Sequence, residues 1–452
     1  MLAETIRGLM PRARDDLARL VSFRSVADPQ QFPEEECLKA GQFVIDSFKE
    51  LGFADAAFHD TPDGHPCVVG SAAGPDDAPT VLLYCHYDVQ PPLDEAAWRT
   101  PVFELTEKDG RWFGRGAADC KGNIAMHLTA LRALRAVDGG YPVNLKLISE
   151  GAEEQGTGGI ERFVPQNADL LRADTVIMAD TGNFAVGVPT LTTTLRGIAN
   201  VIVSVKTLST AMHSGMFGGP APDALAALIQ MLSTLKDAKG NTTILGLEGG
   251  QSWTGVEYPT EQFRADANVL DGVELLGDGT VSDMLWARPA LTVIGLDAPP
   301  VVGGSAAIPA HARAHLNLRV PPGMDSKTAQ DALIAHLHAV APWHVQVEVT
   351  AEDAGPPFTG STSGPAYDAM AAAMREAYGR ELSTEGQGGS IPLCNVLAET
   401  YPDAEILLMG VEEPRCLIHA PNESVDPTEI ERMAHVEAGF LRRYAETFAA
   451  SR

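Results

Sequence analysis

Basic residues are in deficit: 33 lysines and arginines face 60 aspartates and glutamates, for a formal net charge of −27. A sustained hold on a phosphate backbone needs the opposite field, so nucleic acid is not an expected partner. The acidity reads as a solubility device. Cysteine is sparse as well. Cys37, Cys67, Cys85, Cys120, Cys394 and Cys416 are scattered and form no CxxC pair, which speaks against a disulfide framework and for a reducing, cytoplasmic setting. No apolar run reaches the ~20 residues of a membrane helix. The stretch 1–21 reads as an amphipathic helix interrupted by Arg7, Arg12, Arg14 and Arg19, without the apolar core of a secretory signal. Internal repeats and low-complexity segments are missing.

What is present suffices for more than one core. A chain of 452 residues with 45% hydrophobic content exceeds one typical domain, and two or three are expected. Up to residue 189 helix and strand alternate: a helix over 34–52, a strand over 80–85, a helix over 124–136, and strands over 143–149 and 174–179. Strands separated by helices point to an α/β sheet covered on both faces. The order then changes to strand 196–208, helix 222–236, strands 290–296 and 310–320, helix 327–340 and strand 345–351, around an irregular segment near 238–285. That is βαββαβ, the ferredoxin-like arrangement. Helices over 365–379 and 427–447 flank a last strand over 405–409. The fold class is therefore α/β: a catalytic domain with a mixed, mostly parallel sheet, split into 1–189 and 354–452, and an inserted α+β lid over 190–353.

Four short segments put imidazoles or carboxylates at the ends of apolar runs: His86-Tyr87-Asp88, Asp119-Cys120-Lys121-Gly122, Glu153-Glu154 and His419-Ala420-Pro421-Asn422. The strand period of two sets His86 and Asp88 on one side. His86 can then ligate a metal while Asp88 holds its other ring nitrogen; a surface histidine capped by an aspartate is the blander reading. Asp119 follows a glycine-rich approach and precedes a helix, where a carboxylate can bridge two ions or simply cap the helix. Glu153 and Glu154 repel one another in a tight turn unless a cation lies between them or one keeps its proton. A metal ion satisfies one and leaves the other as general base toward water; a solvated acidic loop is the alternative. Asp180 ends the strand 174–179, and His419 follows Cys416-Leu417-Ile418. Each signal is weak alone. Together, five strand-end donors match the place where open sheets bind ligands, and His and carboxylate donors suit Zn2+ or Mn2+ in a catalytic site.

The succession HYD (86–88), GRGAADCKG (114–122), SEGAEEQG (149–156) and HAPNE (419–423) resembles the M20 metallopeptidases, in particular their dipeptidase branch, which includes carnosinases. The resemblance runs from about residue 10 to 445. It implies two divalent ions, Zn2+ first with Mn2+ or Co2+ as alternatives. His86 and Asp180 would hold one, Glu154 and His419 the other, with Asp119 bridging. Glu153 would be the general base and Asp88 the orienter of His86. The chain departs from the branch at Cys120, where many of its members carry a second aspartate.

The same resemblance adds residues on the substrate side. His213 reads by itself as a surface or core histidine; the family pattern implies that it reaches the active site of a partner subunit and stabilises the oxyanion, which makes a homodimer functional. Arg319 reads as a surface ion pair, and the branch implies a grip on the substrate's C-terminal carboxylate. Gly389 and Ser390 lie in a glycine-rich turn whose backbone and hydroxyl can approach that carboxylate. The expected activity is hydrolysis of dipeptides or short peptides. An N-acyl-amino-acid deacylase of the desuccinylase or aminoacylase type is the alternative, and an inactive binding protein the rival from another class.

Overall fold

Unbroken apolar runs, rather than alternating ones, build the main sheet, because its strands are covered on both faces. The computed structural model describes residues 1–389 and 391–451, the side chains of 449–451 excepted. It divides into one unit of Met1–Thr193, Gly360–Glu385 and Leu393–Arg452, and another of Thr194–Thr359 and Gly386–Pro392.

In the first unit the strands Asn144–Glu150, Thr80–His86, Thr175–Ala179 and Glu405–Met409 lie side by side in that order and run parallel. They are buried along nearly their whole length. Antiparallel strands flank them: Ala57–His59 and Cys67–Ala72 on one side, Thr190–Leu195 on the other. Parallel neighbours need a crossover, and Lys121–Asp138 supplies the one between Thr80–His86 and Asn144–Glu150. This helix is buried on every side from Lys121 to Leu134. It stops at Gly139, whose left-handed φ of 76° lets its N–H reach the carbonyl of Arg135. All helices and strands expected from periodicity form, with bounds shifted by a few residues. The short or polar strands Ala57–His59, Cys67–Ala72, Thr190–Leu195 and Ser383–Gln387 escape such a reading, as does the helix Pro392–Thr400.

The second unit carries a four-stranded antiparallel sheet in the order Ala290–Asp297, His311–Val320, Gly197–Lys206, Gln346–Gly355. With the helices Ala224–Ser233 and Ser326–Ala339 this is βαββαβ in chain order. Alternation sorts the two faces. Ala199, Val201, Val203 and Val205 pack with Leu316, Leu318, Leu228, Met231, Leu333 and Leu337 into one core, while Asn200, Asn317 and Arg319 point to the other face. The segment near 238–285 has its own small aromatic core, in which the Trp286 ring lies 5.2 Å from Trp253 and 5.9 Å from Tyr258. Gly386–Pro392 also groups with this unit, outside the span 190–353 expected for the inserted domain.

One buried acid lets the fold be probed by pH. Burial pushes the Glu385 carboxyl from its ordinary 4.5 up to about 8. Because the folded-state value is raised, the protonated form stabilises the fold fully below pH 4.5, and that contribution is lost as pH rises toward about 8. Glu385→Gln, which does not titrate, is expected to gain stability relative to the parent across that window, on the order of 1.4 kcal/mol per pH unit. Denaturant unfolding at pH 5 and pH 8 checks it; an equal difference at both values contradicts it.

Candidate metal centre

Parallel pairing brings the carboxyl ends of neighbouring strands together, and each end of the central sheet delivers a donor. His86 closes Thr80–His86, Glu153 and Glu154 follow Asn144–Glu150, and Asp180 follows Thr175–Ala179. Asp119 comes from the turn before Lys121–Asp138, and His419 from the loop after Pro414–Cys416. All lie in the first unit. Nε2 of His86 sits 2.9 Å from Oδ1 of Asp119 and 3.1 Å from Oδ1 of Asp180. Nε2 of His419 sits 3.0 Å from Oδ2 of Asp119 and 3.1 Å from Oε2 of Glu154. The two oxygens of Asp119 thus face different histidines.

Among the described residues three groups of donors lie close enough to hold a cation: Asp119 with Glu154 and His419; His86 with Asp180 and Cys120; and Asp119 with Asp180 and Glu412. Glu412 was not anticipated, although it follows the strand Glu405–Met409 as Asp180 follows its parallel neighbour, with Met409 opposite Ala179. The Cys120 thiol donates to the carbonyl of Ala179 at 3.0 Å. Burial pushes it well above the ordinary thiol value, the direction that disfavours the thiolate.

A supporting layer fixes these donors. The Asp88 carboxylate accepts from the backbone N–H groups of Glu153 and Glu154 at 3.2 and 3.1 Å, and its Oδ1 lies 3.3 Å from Nδ1 of His86. It therefore ties the histidine to the acidic turn. Gln90 donates to Oε2 of Glu154 at 2.8 Å. Glu423, the last residue of HAPNE, accepts from Arg115 Nη1 at 2.8 Å and from the N–H groups of Gly116, Ala118 and Asp119 at 2.9–3.1 Å. The turn that presents Asp119 is thus clamped by one buried carboxylate. His419 adopts a left-handed φ of 62°, a conformation costing roughly 1–2 kcal/mol for a non-glycine residue. Such strain is found where neighbouring structure over-determines it.

Crowded carboxylates and imidazoles hold one another away from their ordinary ionisation. Burial, and after it the charge of Asp180, pushes Glu153 well above the usual carboxylate range. Burial and then Asp119 push Glu154 upward, and burial brings Asp180 up to about 6. The hydrogen bonds to Asp119 and Glu154 raise His419 to about 11. Burial opposes the lowering of Asp119, but its bonds to His419 and His86 prevail. Carboxylates and imidazoles that hold one another in this way are also the donors a divalent cation takes once the carboxylates are ionised and the imidazoles neutral. The donor set fits two hard or borderline ions with one shared carboxylate.

His213, Arg319 and Gly389, expected on the substrate side, fall in the second unit. His213 is exposed and accepts at Nδ1 from the N–H of Gly215 at 3.1 Å. Arg319 is half-buried in His311–Val320, and Gly389 is exposed. Ser390 lies outside the described residues.

Residues 82–443 match the pattern of the peptidase family M20/M25/M40. Over 441 residues the chain is 44% identical to the cysteinylglycine-S-conjugate dipeptidase of Corynebacterium striatum, covering 96% of each sequence. It is 29% identical to a Cys-Gly metallodipeptidase of Schizosaccharomyces pombe, across 91% of this chain and 90% of that one. Human carnosine dipeptidase 1 shares the fold, with a TM-score of 0.82 over 98% of each chain at 24% identity. A family match across most of the chain and a relative at 44% identity over nearly its full length lead to one conclusion: this chain belongs to peptidase family M20/M25/M40.

Proposed function

We propose that this protein is a dinuclear metal-dependent dipeptidase acting on dipeptides or short peptides with a free C-terminal carboxylate. The observation that carries the reading is the Asp119 carboxylate, whose two oxygens lie 2.9 and 3.0 Å from His86 and His419, with Asp180 and Glu154 completing the two sides. We assign His86 and Asp180 to one ion, Glu154 and His419 to the other, and Asp119 to both, with Zn2+ ahead of Mn2+ or Co2+. Bound ions supply Lewis acidity toward a carbonyl and lower the pKa of water.

The chain's own groups do the rest. Glu153 takes a proton from the attacking water and passes it to the leaving amine. Asp88 holds both His86 and the Glu153–Glu154 turn in place. His213, acting in trans in a homodimer, supports negative charge on the carbonyl oxygen. Arg319, with Gly389 and Ser390, takes the free carboxylate; burial lowers the proton affinity of Arg319, and no acid is among the influences on it.

We place the protein in the cytoplasm on its six unbridged thiols, and its charge of −27 speaks against a nucleic-acid partner. No described helix is long and apolar enough to cross a membrane. Since the relatives at 44% and 29% identity are both dipeptidases by name, Cys-Gly and its S-conjugates are the first substrates to try. Assaying these beside β-Ala-His, N-acetyl and N-succinyl amino acids tests the reading. Faster turnover of the dipeptides is expected; a preference for the acyl amino acids would transfer the protein to the deacylases.

A further inference from the structure

Among the described residues four arginines are buried: Arg111, Arg115, Arg132 and Arg196. The first three are each paired with an acid, Glu413, Glu423 and Asp16 respectively. Arg196 is the exception, in a chain whose 60 acids outnumber its 33 bases. Its residue is only 9% exposed, and its Nε and Nη1 are buried with no hydrogen-bond partner. The backbone N–H, by contrast, is secured on the carbonyl of Gln387 at 3.1 Å. A buried guanidinium without a counter-charge is among the costliest things a fold can hold.

Its surroundings add to the imbalance. Arg196 immediately precedes Gly197–Lys206, and Arg319 pairs with Ile198, two residues further along that strand. The period of two sets both arginines on the side of the sheet away from the helices. Burial and then the like charge of Arg319 bring the proton affinity of Arg196 down to about 10, and no acid is among the influences on either residue. Gly388 keeps the approach clear: a Cβ there would stand 2.7 Å from Nη2 of Arg196. Two neighbouring guanidiniums, one with buried donors to spare, form a site that is complete only with an anion in it.

We propose that Arg196 is a second specificity residue, which with Arg319 forms a two-guanidinium subsite for the planar free carboxylate of the substrate. This rests on the reading of Arg319 as the carboxylate grip and extends it. Arg319 supplies one fork, while Arg196 supplies donors that are already desolvated, and these discriminate most sharply against a ligand lacking the charge.

The test compares a dipeptide with its C-terminal amide on Arg196→Gln, Arg196→Lys and Arg319→Gln, using the metal-loaded enzyme. Arg196→Gln is expected to raise KM for the free dipeptide about 10- to 100-fold, with kcat little changed and KM for the amide unmoved. Arg196→Lys keeps the charge but not the fork, and intermediate discrimination is expected. Equal changes for both substrates, or a lower Tm with unchanged discrimination, would make Arg196 a structural residue and overturn the proposal. Should Arg196→Gln fail to fold, Arg196→Lys decides: parent-like discrimination overturns the proposal, and reduced discrimination supports it. Arg319→Gln separates the two readings. If it loses discrimination while the Arg196 variants keep it, the Arg319 reading stands and this one falls; the reverse removes Arg319 and with it the two-guanidinium subsite, and loss of discrimination in both supports the proposal. Acetate and inorganic phosphate, as competitive inhibitors of the parent, distinguish a planar carboxylate site from a general anion hole. Inhibition by phosphate alone would contradict the carboxylate assignment.

Discussion

Glu153→Ala is expected to lower kcat by about 10²–10⁴-fold, the usual contribution of a positioned general base, while the protein still binds two ions. The separation of the two effects follows from the geometry. Glu153 belongs to none of the donor groups able to hold a cation, whereas its neighbour Glu154 does. The two are not interchangeable, because Asp88 accepts from both main-chain N–H groups and sets the turn that sends Glu154 toward His419. Removing Glu153 takes away a charge but none of the donors in those groups, so both ions are expected to stay bound. Equilibrium dialysis with metal analysis, run beside dipeptide kinetics, checks both halves. Activity within about tenfold of the parent would remove Glu153 from the role of base.

Asp119→Asn is expected to act differently, losing both ions along with activity. One carboxylate faces both histidines, so an amide at this position weakens each half at once. The loss should exceed the roughly 10–100-fold that follows from changing a residue that only supports a ligand. Thermal unfolding supplies a second readout. Added metal at about 100 times its Kd stabilises the parent by ~2.7 kcal/mol, and Asp119→Asn should gain little under the same conditions. If one ion remains with parent affinity, Asp119 is not shared, and the two-sided assignment is wrong.

The sequence showed the donors at strand ends more readily than what holds them. His86, Asp180 and Glu154 follow apolar runs long enough to be recognised as buried strands, and each stands where such a strand must end. The same rule reaches Glu412 once Glu405–Met409 is recognised as a strand. Glu423 is a different case. Its importance lies in hydrogen bonds to a turn 304 to 308 residues away, and no local pattern signals a contact at that distance. Arg196 was hidden for a related reason. An arginine before a strand looks ordinary until three-dimensional burial reveals the missing counter-charge. The βαββαβ unit was legible because its alternation is clean, as in Gly197–Lys206 and His311–Val320. The aromatic cluster around Trp286 was not, since its members are scattered between residues 253 and 286.

If a pair of ions sharing Asp119 makes this chain a dipeptidase, a titration of metal-stripped protein with Zn2+ reports it, with Cys-Gly hydrolysis and bound metal followed together. Activity that climbs to a plateau at two ions per chain is the predicted result. A plateau at one ion, or no dipeptide hydrolysis with Zn2+, Mn2+ or Co2+, would contradict it.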